Sequence, residues 1–368
     1  MFYSYILWSI AFMLSFVVSS TATLAHSMDD KPSRRQRFVT IETEFDKGLA
    51  KFVEASNSAE TDAENLVAEK LRPSVAEFGQ RFLVLAEEQP ADDVACDALL
   101  WIADKYAKRE RPKLDRALDL IEQHHLGTPK LKSVVDALIS ADSERANALA
   151  ETIAEKAGDR EVRGFACYCV GYGIYCRTGG ARDAKSLADV ERWMTLTQKE
   201  YADVLWEKRK LGDMAEAQMY EIRNLTPGKV APEIEGVSVD GKKIKLSESR
   251  GKIVALVFWG SWCGPCMGEV PHLRELMATH FRRPFTVVGI NSGDTKDRAE
   301  KVMLDEQMTW PMFFDGEDGP IVRSWNVTGF PMIYVIDAEG IIRCKVAPDD
   351  GDLDGFIARL VSETELKR

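Results

Sequence analysis

The strongest constraint on the fold of this chain is the segment Trp262-Cys-Gly-Pro-Cys266 together with its two flanks. The preceding segment, 253–259, is continuously apolar and rich in β-branched residues, which is typical of a strand buried on both faces. The following segment, 267–277, has apolar residues at helical spacing. A strand, a tight turn that carries Cys-x-x-Cys and then a helix is the context in which this motif indicates redox chemistry. We therefore predict that Cys263 lies at a helix N-terminus, where the backbone dipole stabilises a thiolate.

Length and charge limit the classes of protein that this chain can belong to. At 368 residues it is too long for one ordinary core, so two domains are expected. The net charge of −11 argues against a nucleic-acid partner, and no basic run is longer than the three residues Lys208-Arg209-Lys210. We predict no nucleic-acid binding.

The N-terminal segment differs in composition from the rest of the chain. No Lys, Arg, Asp or Glu occurs in 2–28, and 6–18 is almost wholly apolar. A small-residue stretch at 19–25 follows, of the kind that precedes signal-peptide cleavage. The pattern favours a cleaved signal peptide, with an uncleaved membrane anchor or a buried helix as alternatives. We predict export, with residues 1–25 as the signal peptide or as a membrane attachment, and a periplasmic or anchored, extracytoplasmic location.

Two regions of different patterning follow the N-terminal segment. Residues 26–226 have apolar positions that recur at three and four and contain few β-branched runs, which predicts an all-helical domain of unknown role. The segment 224–232 contains two prolines and a glycine and reads as the boundary between domains. After it, strands alternate with helices, so 227–368 is predicted to be an α/β domain.

The cysteines outside the motif do not form a disulfide framework, because seven cysteines in a chain of this length are few and odd in number. Cys167, Cys169 and Cys176 fall on one predicted helix. There, core cysteines are favoured over a Cys169–Cys176 disulfide and over a metal or second redox site. Cys344 is predicted to be buried and inert. No second Cys-x-x-Cys and no His-x-x-x-His accompanies the motif, so no metal site is predicted. No cofactor is predicted beyond the redox-active disulfide Cys263–Cys266.

Residues 227–368 resemble the thioredoxin superfamily and, within it, the exported TlpA-like and redoxin (AhpC/TSA-type) branch. The resemblance is carried by 258–266, by Glu269-Val-Pro271 and by Gly329-Phe-Pro331 before a short apolar strand. It implies an α/β thioredoxin-like C-terminal domain, with a central mixed sheet and helices on both faces, preceded by the all-α domain.

The motif and the resemblance together assign roles to individual residues. Cys263, as the outer sulfur at the helix start, is expected to attack disulfides, and Cys266, one turn further and more buried, to resolve the mixed disulfide. The resemblance implies that Pro331 is a cis-proline opposite the cysteine pair and that the Phe330 backbone pairs with a bound partner. Trp262 is expected to shield the active face. Trp262, Phe330 and Pro331 are therefore the predicted substrate-binding residues.

The sequence departs from thioredoxin at its proton relay. Where thioredoxin carries a buried Asp, this chain has Val257, and the Lys that pairs with that Asp would fall near Gly289. TlpA-like proteins often carry a Glu three residues after the second cysteine, and Glu269 occupies that position. We expect Glu269 to relay the proton of Cys266 as a catalytic residue; the alternative is an acid placed to suit the helix dipole.

The residues thus favour an exported thiol–disulfide oxidoreductase that acts on exported thiol or disulfide proteins and takes electrons from an upstream donor. Gly264-Pro265 matches reducing thioredoxins and favours a reductant over an oxidant. A peroxide-reducing redoxin is disfavoured, because Leu256 and Gly260 stand where that chemistry needs Pro and Thr or Ser. A non-catalytic scaffold that acts through the helical domain is the other alternative.

Overall fold

The computed structural model describes residues 32–106, 111–141, 143–180, 183–317, 319–346 and 351–367. The predicted signal or anchor segment 1–25 lies outside them. Among the described residues, no helix combines the length and the apolar character needed to cross a membrane. The chain divides into two compact units between Pro73 and Ser74. The predicted boundary at 226/227 therefore lies inside the second unit.

The first unit contains two helices, α1 (Arg34–Asn57) and α2 (Asp62–Glu69). Ser33 begins α1 with a capping box, because its hydroxyl accepts from the N–H of Gln36 while the Gln36 side chain accepts from the N–H of Ser33. The buried side chains of α1 recur at helical spacing and form one apolar face; they are Phe38, Ile41, Phe45 and Phe52.

The helical part of the second unit consists of α3 (Val75–Glu88), α4 (Asp93–Tyr106), α5 (Arg111–His124), α6 (Val135–Ser140), α7 (Glu144–Lys156), α8 (Arg160–Arg177), α9 (Ala184–Glu200) and α10 (Leu211–Asn224). A short hairpin, β1 (Leu205–Trp206) and β2 (Arg209–Lys210), precedes α10. The prediction of an all-helical region is wrong at this hairpin. The hairpin escaped prediction because its turn residue Glu207 adopts a φ of 54° without the Gly or Asn that marks such turns.

The C-terminal part consists of β3 (Glu235–Val237), β4 (Lys243–Lys245), β5 (Ile253–Trp259), α11 (Gly264–Thr279), β6 (Phe285–Ser292), α12 (Lys296–Asp305), β7 (Met312–Gly316), α13 (Pro320–Ser324), β8 (Met332–Ile336), β9 (Ile342–Val346) and α14 (Leu353–Leu366). The strands β3 and β4 form a separate antiparallel hairpin. Strand β7 and helix α13 were not predicted, because an apolar run as short as 312–314 does not distinguish a strand from a loop.

The five-stranded sheet has the order β7-β6-β5-β8-β9. Strands β5, β6 and β7 are parallel, and β8 pairs antiparallel with both β5 and β9, so the sheet is mixed, as predicted. Alternate residues of β5 enter two separate cores. Val257 and Trp259 pack in the core that also contains residues of α11 and α14, whereas Leu256 and Phe258 pack on the opposite face with Trp325. Burial on both faces explains why β5 reads as a continuous apolar run.

The helical part and the sheet are joined by the carboxylate of Glu221 on α10. Its Oε1 lies 2.7 Å from Nζ of Lys345 on β9 and accepts from the Tyr175 hydroxyl of α8 at 2.8 Å. Its Oε2 accepts from Nδ2 of Asn326 at 2.9 Å. The side chain is almost fully buried. A paired and hydrogen-bonded carboxylate in this position fixes α8 and α10 against the sheet.

Candidate active site

Cys263 and Cys266 form a disulfide at the start of α11. Cys263 is the N-cap residue, and its sulfur accepts from the backbone N–H of Cys266 at 3.2 Å. Pro265 lies in the first turn, where its missing N–H costs no helical hydrogen bond. When the pair is reduced, the same N–H and the helix dipole are in place to stabilise a thiolate on Cys263.

The cysteines do not differ in exposure as expected. Cys263 retains 4% and Cys266 3% of its accessible surface, so Cys266 is not markedly the more buried of the two. The difference between them lies in the helix instead. Cys263 caps the end where the backbone N–H groups are free, whereas Cys266 sits inside the first turn.

The predicted substrate-binding residues lie together beside the disulfide. The exposed indole of Trp262 meets the ring of Phe330 edge to face, with ring centroids 5.2 Å apart. Phe330 packs against the core that contains both cysteines, and the Phe330–Pro331 peptide bond is cis, as the resemblance implies. The roles of Trp262, Phe330 and Pro331 in binding remain predictions.

Two glycines give the indole of Trp262 its position. Its Nε1 donates to the carbonyl of Ser292 at 3.0 Å. A Cβ on Gly260 would lie 2.3 Å from this nitrogen, and one on Gly293 would lie 2.6 Å from it. Gly293 also has a φ of 77°, which side chains disfavour. The indole can therefore occupy this position only because both residues lack side chains.

A buried carboxylate holds the turn before the cysteines. Asp294 accepts from the backbone N–H of Ser261 at 2.8 Å and from its hydroxyl at 2.6 Å. It also accepts from Nδ2 of Asn291 at 2.7 Å and lies 3.6 Å from Nε of Arg298. Sequence analysis missed this network. The sequence feature that could have revealed it is the run of polar residues after β6. Because β5 and β6 are parallel, the residues that follow them lie at the same edge of the sheet.

The structure places Val257 and Gly289 side by side, as directly paired residues of β5 and β6. Both positions at which thioredoxin carries its buried ion pair are therefore adjacent and without charge here. Val257 belongs to the same apolar core as the two cysteines, with Val270 and Ile333. Neither position therefore offers a charged side chain to the cysteine pair.

Glu269 lies three residues beyond Cys266 on α11, with its side chain mostly buried. Its Oε1 is hydrogen-bonded to Nδ1 of His272 at 2.6 Å, and Nε2 of His272 is hydrogen-bonded to Oδ1 of Asp354 on α14 at 2.6 Å. Partial burial of the ring opposes protonation, but the bonds with Asp354 and Glu269 outweigh it and raise the pKa of His272. Sequence analysis did not single out His272 or Asp354, and the relay role of Glu269 remains a prediction.

The cysteines outside the motif are free. Cys167 and Cys169 are buried core residues of α8, as favoured, and burial raises the pKa of Cys167 to about 12. Cys176 is exposed near the end of α8, so the core interpretation is wrong for it. Cys344 is only partly buried, which corrects the prediction of a buried residue. Both differences arise because α8 and β9 border a cavity.

The cavity has a volume of about 800 Å³ and lies where α8 and α10 face the C-terminal sheet. Cys169, Cys176 and Cys344 contribute to its wall, together with aromatic side chains that include Tyr168 and Tyr172. Within the described ranges, no three His, Cys, Asp or Glu side chains converge to form a metal site.

The mixed sheet, the disulfide at the N-terminus of α11 and the neighbouring cis-proline define a thioredoxin-like domain. Residues 227–345 match the model of the AhpC/TSA family. The match covers less than half of the chain and none of the helices before it.

Named relatives match the same C-terminal region. The thiol-disulfide oxidoreductase ResA of Geobacillus kaustophilus is 32% identical over 116 residues, which are 32% of this chain and 66% of the relative. ResA of Bacillus subtilis is 30% identical over 118 residues, which are 32% of this chain and 65% of the relative. This chain thus spans just under two thirds of the length of these relatives.

Solved structures are similar over the same part of the chain. The thioredoxin domain of a thiol-disulfide oxidoreductase from Bacteroides vulgatus is 27% identical, with a TM-score of 0.35, and the match covers 38% of this chain and 99% of that domain. A thiol:disulfide interchange protein from Chlorobium tepidum is 28% identical, with a TM-score of 0.33, and the match covers 37% of this chain and 96% of that protein.

Proposed function

We propose that this protein is an exported thiol–disulfide oxidoreductase that uses the Cys263–Cys266 pair to reduce disulfides in other exported proteins. The observation that carries the proposal is the disulfide at the N-terminus of α11, with the sulfur of Cys263 accepting the N–H of Cys266. The names of the ResA relatives support the same chemistry. The apolar N-terminal segment 6–18 and the small-residue stretch after it support export.

The reaction has two exchange steps. The Cys263 thiolate attacks a substrate disulfide, forms a mixed disulfide and releases one substrate sulfur as a thiolate. Cys266 then loses its proton and attacks the sulfur of Cys263, which forms the Cys263–Cys266 disulfide and releases the second substrate thiolate. Two electrons pass from the pair to the substrate, and an upstream dithiol returns the pair to the reduced state.

The surface beside the pair suits an extended polypeptide. Trp262 and Phe330 form an aromatic edge next to the disulfide, and the cis Phe330–Pro331 segment precedes β8. We expect the backbone of the partly buried Phe330 to pair with a substrate strand, so that main-chain hydrogen bonds provide affinity with little dependence on sequence. The proposed substrates are therefore protein disulfides rather than small peroxides.

Trapping of substrates tests the proposed reaction. Without the resolving thiol, the Cys266→Ser variant is expected to accumulate mixed disulfides with exported proteins, and these should disappear on treatment with dithiothreitol. Cys176→Ser removes an exposed cysteine outside the pair and serves as the matched control without adducts. Absence of adducts, together with no insulin-reducing activity of the wild type, would contradict the oxidoreductase proposal and favour the scaffold alternative.

The reduction potential of the pair tests the direction of electron flow. With Gly264-Pro265 between the cysteines, we expect a potential near the thioredoxin value of about −270 mV. Equilibration of the full chain with glutathione or dithiothreitol buffers, read by alkylation and mass shift, measures it. A potential near about −120 mV, the value of DsbA, would make the protein an oxidant.

A further inference from the structure

Four residues with reactive side chains recur at every third position of α11 and its N-cap: Cys263, Cys266, Glu269 and His272. Residues three apart on a helix are surface neighbours, so these side chains form a row that begins at the disulfide. The exposed fraction increases along the row from Cys266 and on to Asp354 of α14, which is hydrogen-bonded to His272. It is 3% for Cys266, 13% for the Glu269 side chain, 33% for that of His272 and 59% for that of Asp354.

The row supplies polar side chains next to the buried cysteine pair. The core that holds both cysteines is apolar on the side of the sheet, where Val257 and Ile333 lie. A proton on a buried thiol needs a hydrogen-bonding group to accept it, because transfer into apolar surroundings carries a large desolvation cost. Glu269 follows Cys266 in the row with a mostly buried side chain, and His272 is hydrogen-bonded to both Glu269 and Asp354.

Both ring nitrogens of His272 are engaged, each with one carboxylate. Nδ1 is 2.6 Å from Oε1 of Glu269, and Nε2 is 2.6 Å from Oδ1 of Asp354. An imidazole bonded in this way can take a proton at one nitrogen and release one from the other. The charged groups that act on the ring are these two carboxylates, one on its own helix and one on α14.

We propose that His272 and Asp354 extend the relay of Glu269 into a proton path from Cys266 to solvent, an inference that rests on the proposed dithiol chemistry. When Cys266 attacks Cys263, the S–H bond of Cys266 breaks and its proton passes to the Glu269 carboxylate. Glu269 gives a proton to Nδ1 of His272, and Nε2 releases one to Asp354 and water. The electron pair of the broken mixed disulfide leaves with the substrate thiolate. His272 and Asp354 act through Glu269 and are positioning residues.

The test compares His272→Gln, Glu269→Gln and the double variant in the full chain. The measured quantity is the rate at which a preformed mixed disulfide resolves, between pH 5 and pH 9. We expect each single variant to slow resolution at pH 7 by about a hundredfold, the lower end of the range for proton-transfer catalysis. Because both residues lie on one path, the double variant should be no slower than Glu269→Gln alone.

Controls separate this inference from folding effects and from the proposed function. His124→Gln changes an exposed histidine of α5 and should leave the pH–rate profile unchanged. Asp354→Asn should slow resolution in the same direction as His272→Gln. The proton path would be overturned if His272→Gln left the pH–rate profile of resolution unchanged, or if the losses in resolution rate of the two single variants multiplied in the double variant. In either case the wild type would remain active. Loss of wild-type activity itself would instead overturn the proposed function.

Discussion

Cys263 caps the N-terminus of α11, whereas Cys169 and Cys176 lie in the second half of α8. At a helix N-terminus the free N–H groups and the dipole favour a negative sulfur, and towards the C-terminus the dipole disfavours it. Cys344, the third cysteine at the cavity, lies within strand β9. Position in the backbone therefore distinguishes Cys263 from the cysteines at the cavity.

The turn before Cys263 and the region around the cavity each contain a buried carboxylate, and the two carboxylates have different partners. Asp294 holds the turn before Cys263 through the backbone and hydroxyl of Ser261. Glu221 pairs with Lys345 and Asn326 and so fixes the helices that border the cavity. The first carboxylate holds the turn that precedes the cysteine pair, and the second joins two parts of the fold.

The largest expected effect is a difference in thiol reactivity. With a pKa of about 12, Cys167 carries only about one thiolate per ten thousand molecules at pH 8. After reduction, a short iodoacetamide pulse at pH 8 should label Cys263 first and the exposed Cys176 more slowly, and leave Cys167 and Cys169 unlabelled, as read by peptide mass spectrometry. The same pulse in urea should label all of them. If Cys167 in the folded protein were labelled as fast as Cys263, the predicted difference in thiol reactivity would be wrong.

A second prediction concerns the carboxylate beside the cavity. Glu221→Ala should lower the free energy of unfolding by about 3–5 kcal/mol, because it leaves Lys345 and Asn326 without their buried partner. Urea unfolding followed by tryptophan fluorescence measures this change. Glu216→Ala, at an exposed position of the same helix, should stay within about 0.5 kcal/mol of wild type. Equal effects of the two substitutions would show that Glu221 does not fasten the helices to the sheet.

The smallest expected effect is a change with pH in the stability that His272 contributes. His272 lies on α11, the helix that begins at the cysteine pair. The pKa of His272 is raised in the folded state, so its stabilisation is present below about pH 6.5 and is lost as pH rises through the folded-state pKa. The unfolding free energies of wild type and His272→Gln should therefore differ more at pH 5.5 than at pH 8.5. The difference should be below about 1 kcal/mol, as for other partly exposed ion pairs. A difference independent of pH would indicate that the carboxylates do not favour the charged ring.

Local patterning was enough to predict much of the C-terminal domain. The strand at 253–259 and the helix after the cysteines follow from apolar runs, which depend on neighbouring residues along the chain. The relation between Val257 and Gly289 was expected from the resemblance to thioredoxin, and the two residues are paired across β5 and β6. Strand β7 and the hairpin β1–β2 were not predicted, because each is too short to produce a periodic signal.

The sequence alone determined that a Cys-Gly-Pro-Cys turn joins a buried strand to a helix, since strand, turn and helix depend on contiguous residues. Only the tertiary structure decided which distant groups meet that turn. His272 and Asp354 are 82 residues apart, and Glu221 and Lys345 are 124 apart, so neither pair leaves a local pattern. Packing of helices and strands into shared cores creates such contacts, and the hydrogen bonds that buried polar groups require then select their partners.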